Sequence, residues 1–448
     1  MQKSSSNPTQ GESEVVSKSD NLIANLLQEL LPSGYELLPG VNQFYELNLA
    51  ISEFRALSKE QLIKRSAFFQ LVDGVETTHY KMCVKSRLEL GSSSSIWLKS
   101  FFQAYQFKTG YATHGLFPYR GKFHPQLIKA LINLIGIGEK DTVLDPMMGS
   151  GTLNIEASLM GIRNIGIDIS PFCVLMAKAK VDALTLSPLP LQKCTSHPDK
   201  IFSYFHKIGT LDTFTQQEIE LEQELSLLED ERYRNLLLLC YLDSLGYSVR
   251  RKGRSADQLF PNLLKKYVTL VSNFAKARDE LGLNIGDSLL TQGDARNLKE
   301  LNAIHSIKDE AIDGIITSPP YSFAIDYIKG DKRQLEYLGY SLGELQGKMI
   351  GLRGSDNEGK LANYLFDMKK VISEMYRVLK NGKYCVIVIG SNSSQLQKIA
   401  SYLKGIRLED ELLCISKECG FSLSQRISRP IEGMRNTMRN EEILILKK

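Results

Sequence analysis

One segment restricts the fold of this chain more than any other. Thr142-Val143-Leu144-Asp145 is a short apolar run ending in an acid. It leads into Pro146-Met147-Met148-Gly149-Ser150-Gly151, and helix-forming sequence follows from Thr152. Strand, Gly-rich turn and helix in that order are the opening unit of a doubly wound α/β sheet, in which ligands bind at the carboxyl ends of the strands. The alternation continues, with Asn164–Ile167 as a buried strand and Pro171–Leu184 as a helix. Strands alternating with helices of this length imply a parallel sheet.

The pattern then stops for about a hundred residues. From Ser187 to Gly286 the chain reads as mainly helical, and Thr215–Glu218 has the form of a capping box opening a helix through Glu229. The α/β alternation resumes with Ser288–Leu298, Ala311–Tyr321, a helix near Asp367–Leu379, the strand Tyr384–Gly390 and a last strand in Glu441–Lys448. The organisation expected is a polar tail over 1–20, an α+β accessory region over 21–112, and a first catalytic half over 113–186. A helical insertion follows over 187–287, and a second catalytic half over 288–448. In the accessory region, helical spacing marks residues 21–38 and 44–65. Asp73-Gly74 splits the alternating run Phe68–Leu90 as a hairpin signal. His124–Ile137 reads as an amphipathic helix.

Composition excludes several classes. The 448 residues carry 43% hydrophobic and 24% charged side chains, with no apolar run near the ~20 residues that a bilayer demands. The first twenty residues have no apolar core, so no secretory signal is expected and a cytoplasmic setting is. The seven cysteines stand singly, without CxxC pairs, so neither a disulfide framework nor a metal site is expected. A net charge of +4 is compatible with an anionic partner and does not require one.

The Gly-rich turn lacks GxGxxG spacing, and no Lys follows its glycines, which argues against dinucleotides and against a Walker loop. An acid just before the turn would repel a pyrophosphate and suits a cationic, amine-bearing ligand such as S-adenosylmethionine. Asp168 ends the next strand, the position from which an acid grips ribose hydroxyls. Asp294, in Gly293-Asp294-Ala295-Arg296, is a candidate acceptor for an adenine amino group. The candidate cofactor set is therefore Asp145, Pro146, Gly149, Gly151, Thr152, Asp168, Asp294 and Ala295.

Ile312–Thr317 is an apolar strand that runs into Ser318-Pro319-Pro320-Tyr321. Two prolines fix φ and donate no N–H, so the strip is rigid. An exocyclic amine on a nucleobase is a weak nucleophile because its lone pair is delocalised. A serine hydroxyl and a proline carbonyl beside it would concentrate that lone pair, and Tyr321 offers a face for an extruded base. Ser318, Pro319, Pro320 and Tyr321 are the catalytic candidates. Attack at cytosine C5 would need a nucleophilic Cys, usually after Pro. The chain has no Pro-Cys pair, and Cys385 sits in an apolar strand as core.

These residues resemble the amino-group DNA methyltransferases, and the cytosine-N4 branch in particular. Asp145–Thr152 is similar to that family's DPFxGSGT cofactor motif. Thr317–Tyr321 looks like its TSPPY catalytic motif. Phe117–Leu127 resembles the segment packed beside the cofactor's methionine end, and Met375–Lys383 a helix-to-strand connection common to class I methyltransferases. The likeness covers roughly 113–185 and 288–448. It departs in motif order, since many cytosine-N4 enzymes place the catalytic strip first, and in Met147-Met148 where a Phe-containing pair is usual. The resemblance implies a class I Rossmann-like fold, S-adenosylmethionine as cofactor, double-stranded DNA as substrate, and a restriction–modification setting with a cognate endonuclease as partner. It makes the insertion a target-recognition region, whose Arg250, Arg251, Lys252 and Arg254 would grip phosphates. Arg426, Arg429, Arg435 and Arg439 are a second candidate patch, and Asp326, Tyr327, Lys329 and Arg333 are candidates for the base pocket. The rival reading is a tRNA guanine-N2 methyltransferase, and adenine-N6 transfer to DNA is a further alternative.

Overall fold

The computed structural model describes residues 29–87, 106–119, 122–210, 223–250, 253–301, 307–320, 327–390, 407–430 and 440–448. A small antiparallel sheet comes first, made of Glu36–Leu37 (β1), Phe69–Val72 (β2) and Val75–Glu76 (β3). Asp73 and Gly74 turn β2 into β3 with φ of 53° and 75°. Positive φ at both central residues is the type I′ hairpin that the Asp-Gly pair signals. Helices Phe44–Ala56 (α1) and Lys59–Arg65 (α2) lie between β1 and β2. The alternation expected after the hairpin is absent, because Thr78–Lys85 is a helix (α3). The Thr77 side chain caps it by accepting from Tyr80 N, and the buried His79, Met82 and Cys83 have helical spacing.

Pro125–Leu134 (α4) is a helix as expected, although it is buried all round from Pro125 to Asn133 instead of amphipathic. One side packs on the large sheet and the other on the N-terminal region, which shares its core through Tyr45, Leu49, Phe68 and Phe69. The polar residues of α4 are bonded in place: Gln126 Nε2 donates to Ala67 O, and Asn133 Nδ2 donates to Glu53 Oε1.

The large sheet contains Thr142–Asp145 (β4), Arg163–Asp168 (β5), Ser288–Gln292 (β6), Ile312–Thr317 (β7), Leu379–Gly390 (β8), Ser422–Pro430 (β9) and Asn440–Lys447 (β10). Its order is β6-β5-β4-β7-β8-β10-β9, with β10 antiparallel to both neighbours and the other pairings parallel. This is a doubly wound, Rossmann-like α/β sheet, as expected. Alternate residues serve opposite faces. Leu144, Ile315, Cys385 and Ile387 face Asn357–Val378 (α14) and Leu408–Glu418 (α15), while Val143, Ile316, Val386 and Val388 face α4. Cys385 is core, as expected. The strand order reverses between β4 and β7, so a crevice opens at their carboxyl ends, beside Asp145 and Thr317.

Thr152–Leu159 (α5) and Pro171–Asp182 (α6) follow β4 and β5. The insertion is helical: Pro188–Cys194 (α7), Pro198–Thr210 (α8), Glu231–Arg250 (α9) and Ala256–Leu281 (α10). Thr215–Glu218 lies outside the described residues. Gln223–Glu229 is a 3-10 segment and not the end of an α-helix. The insertion is fused to the α/β sheet through one apolar core that includes Phe172 of α6, Leu236 and Tyr241 of α9, and Phe260 and Tyr267 of α10. Ile328, Leu335, Leu345 and Met349 complete that core. They come from the short helices Tyr327–Gly330 (α11), Lys332–Tyr337 (α12) and Leu342–Lys348 (α13) and the residue that follows them.

Candidate active site

The site is assembled where β4, β5 and β7 end. Asp145 is fully buried and ties two strand ends together, because its Oδ1 accepts from Thr317 Oγ1 at 2.7 Å and from Met147 N at 3.0 Å. Its Oδ2 has no partner, and burial pushes the carboxyl up to about 7. Such an acid is held by its strand and is unstable as an isolated charge. Asp168 accepts from Gly149 N at 2.9 Å through Oδ2 and from Ser170 N at 2.8 Å through Oδ1. Burial raises it to about 6 against the lowering effect of those backbone donors.

The turn between β4 and α5 needs its glycines. Gly149 and Gly151 have φ of 49° and 74°, and a Cβ on Gly151 would stand 2.8 Å from Ala177 Cβ. Gly151 therefore lets α5 and α6 approach while the loop keeps the N–H of Gly149 on Asp168.

A cleft of about 820 Å³, counted to its open mouth, lies over these strand ends. Of the sequence candidates, Pro146, Gly149, Thr152, Asp168, Asp294, Ala295, Ser318 and Pro320 line it. Asp145 lies beneath the wall, Gly151 at the helix contact, and Pro319 is buried beside the strip. Tyr321 lies outside the described residues. Asp294 is chelated by Arg296, whose Nε donates to Oδ1 at 2.9 Å and whose Nη2 donates to Oδ2 at 2.6 Å. Burial opposes ionisation of Asp294, and the Arg296 hydrogen bonds outweigh it, leaving the carboxyl below its usual range. An adenine amino group would share an acceptor that Arg296 already holds in place.

Sequence reasoning did not single out several lining residues. Tyr119, Lys122 and Phe123 belong to the Phe117–Leu127 segment, whose resemblance to a cofactor-flanking segment was the available signal. Cys173, Met349 and Ile350 had no local signal. Lys122 Nζ donates to His114 O at 2.8 Å, and burial brings the amine down to about 8. Asp331 hydrogen-bonds Tyr119, and burial raises its carboxyl to about 7. The base-pocket candidates Lys329 and Arg333 are exposed and stand outside the lining, and Asp326 lies outside the described residues.

The residues present fit S-adenosylmethionine. The half-buried Asp168 is held by backbone donors at the cleft wall, an acidic setting for a ligand with a sulfonium and an ammonium. Met147, Met148, Ile169, Met349 and Ile350 supply apolar surface for a flat base. Among the described residues no group of three or more His, Cys, Asp or Glu could hold a metal ion, and no helix is long and apolar enough to cross a membrane.

A DNA methylase family model matches residues 312–448, and an RMKL-like methyltransferase domain model matches residues 116–194. The Type II methyltransferase M.BsoBI of Geobacillus stearothermophilus is 25% identical over 288 residues, covering 53% of this chain and 54% of that protein. Over these segments the chain is similar to DNA amino-methyltransferases and to an RMKL-like methyltransferase domain. It spans about half the length of the Geobacillus relative. A tRNA (guanine(10)-N2)-dimethyltransferase of Methanothermobacter thermautotrophicus is 45% identical over 53 residues, 12% of this chain and 16% of its own. A solved SAM-dependent methyltransferase from Methanosarcina mazei aligns over 70% of this chain and 94% of its own, with 12% identity and a TM-score of 0.32. The fold assignment rests on the strand order and not on that likeness.

The cationic candidates divide. Arg254 is exposed and lines a separate groove in the insertion. Arg250 ends α9, while Arg251 and Lys252 lie outside the described residues. The second patch is corrected by the structure. Arg426 pairs with Asp410 and Glu442, and Arg429 with Glu441, so β9 and its neighbours neutralise both. Arg435 and Arg439 lie outside the described residues.

Proposed function

We propose that the chain transfers a methyl group from S-adenosylmethionine to the N4 amino group of cytosine in duplex DNA, after flipping the base. The observation that carries this reading is that Ser318 and Pro320 line the same cleft as Asp168, Asp294 and Ala295. A bound cofactor supplies an electrophilic methyl group on sulfur. The chain's part is positioning. Ser318 Oγ and the carbonyls of the Pro-Pro strip accept from the incoming amine and concentrate its lone pair on the line of attack. The Thr317–Asp145 bond holds that strip at a fixed distance from the Gly149 turn. With the cofactor held by Asp168 and the Gly149 turn, it would supply the methyl group, and the amine held by the strip would release its proton to solvent or to an acceptor in the cleft. Ser in place of Asp at position 318 favours cytosine N4 over adenine N6.

Incubation of duplex DNA and bulk tRNA with isotopically labelled cofactor, followed by nucleoside mass spectrometry, tests the reading. Label in N4-methylcytosine supports it, and label in N6-methyladenine corrects the target base. Label in N2-methylguanosine of tRNA overturns it in favour of the alternative that the Methanothermobacter relative supports. The Ser318→Ala variant is expected to bind cofactor as the wild type does and to lose transfer. Weakened cofactor binding would refute the role given to Ser318. A cytoplasmic location and a cognate restriction endonuclease as partner belong to the same proposal.

A further inference from the structure

The insertion has a groove of its own between α9 and α10, about 990 Å³ to its open mouth, lined by Asp243, Tyr247, Arg254, Asn262, Lys266 and Pro118. Pro118 comes from the catalytic half, and its neighbour Tyr119 lines the cofactor cleft. The two cavities thus share the short wall 117–119. That wall is strained, because Phe117 has φ of 45°, a conformation that costs a bulky residue of order 1–3 kcal/mol. Side chains on both sides hold it. Phe117 N donates to Tyr267 Oη at 3.0 Å, and Lys180 Nζ donates to Phe117 O at 3.4 Å. Tyr267 Oη in turn donates to Asp243 Oδ2 at 3.3 Å, at the groove floor.

The groove is lined by two cations and one acid. Asp243 is buried on the floor, bonded to Tyr267 and within electrostatic reach of the buried Lys180. Arg254 and Lys266 make no ion pair with any described residue, and both line the groove. Two cations that make no ion pair with a described residue, in one groove with an aromatic and an amide and one wall away from a cofactor cleft, match a nucleotide with its backbone phosphate.

We infer that this groove is a subsite for a nucleotide of the DNA substrate, with its phosphate held between Arg254 and Lys266. The inference rests on the proposed DNA reading. It extends that reading by adding Lys266, Asn262 and Tyr247 and by placing the contact on the wall shared with the cofactor.

The test compares wild type, Arg254→Gln, Lys266→Gln and the double variant with Lys265→Gln. Lys265 is exposed on the same helix and does not line the groove, so the control matches the charge lost. Thermal melting checks folding. Binding of a labelled duplex is measured by anisotropy across salt concentrations, and methylation is measured separately. Each groove variant is expected to weaken binding several-fold and to lower the slope of log affinity against log salt by about 1, with cofactor affinity unchanged. Lys265→Gln is expected to match wild type in both.

If the groove variants bind duplex like wild type, or no more weakly than Lys265→Gln, the subsite is refuted whether or not DNA is methylated. If they lose binding while wild type labels no DNA, the subsite stands and the proposed reaction falls. Wild type that binds no duplex refutes both, and a groove effect seen with tRNA alone refutes DNA as the occupant.

Discussion

Asp168→Asn is the most discriminating perturbation of the cofactor side. Both Asp168 oxygens accept from backbone, one from Gly149 N at 2.9 Å and the other from Ser170 N at 2.8 Å. An asparagine of the same shape can satisfy only one of these donors. In either rotamer its NH2 faces an N–H, which removes a hydrogen bond to a charged acceptor and leaves a buried donor unpaired. The loss is about 1.5–3 kcal/mol for the bond alone, which corresponds to roughly ten- to a hundredfold in any affinity that depends on the loop. If the Gly149 N–H goes unheld, the turn with φ of 49° loses its anchor, and cofactor affinity should fall by that factor at pH 8. The pH dependence supplies the second arm. Wild-type Asp168 titrates near 6, so its charge is present above that pH and lost as pH falls through it. One unit below that value only about a tenth remains ionised, so an affinity that needs the charge drops about tenfold near pH 5. Asp145 and Asp331, both near 7, titrate with it, and the profile belongs to the set. The difference between wild type and Asp168→Asn isolates the Asp168 contribution. Calorimetry of S-adenosylmethionine binding at pH 5, 6, 7 and 8 reads both arms. Wild-type affinity at pH 8 in the variant would refute the role given to Asp168, as would a wild-type profile that is flat from pH 8 to 5.

Two further perturbations separate architecture from chemistry. Gly151→Ala forces a side chain to φ of 74° with its Cβ 2.8 Å from Ala177 Cβ, and should cost about 1–3 kcal/mol of stability. An unchanged denaturant midpoint would show that α5 and α6 are not held by this contact. Asp145→Asn should stabilise the ligand-free protein at pH 8 by about 1–3 kcal/mol, because losing a buried charge outweighs the cost of an unpaired amide NH2 at the Oδ2 position, and the acceptor for Thr317 and Met147 is kept. Here the folded carboxyl lies at about 7, above its ordinary value of 3.8, so the stability penalty is absent below about 3.8, grows as pH rises through that window and is constant above 7. Melting curves from pH 4 to 8 should diverge between wild type and variant in that window, and parallel curves would refute the assignment.

What the sequence made legible was local. The β4 turn, Asp168 at the end of β5, and the apolar β7 running into Ser318 each carry their meaning within ten residues, through glycine conformation, proline rigidity and strand periodicity. What it hid depends on partners far away in the chain. His124–Ile137 reads as amphipathic because Gln126, Lys129 and Asn133 are polar, yet α4 is buried on both sides because the N-terminal region supplies bonded partners for Gln126 and Asn133. Ser422–Pro430 has no clean alternation, since it is an edge strand whose arginines pair with acids on β10 and α15. The same pairing removes Arg426 and Arg429 from the nucleic-acid candidates, and no count of charges along the sequence could have predicted it. Arg254 looked no different from Arg426 in sequence. The distinction comes from the fold, which gives Arg426 two carboxylates and gives Arg254 a groove that Lys266 also lines. A basic cluster becomes evidence for an anionic partner only after the structure has matched its charges with the protein's own acids, and in this chain the unmatched cations of the insertion stand one wall from the cofactor cleft.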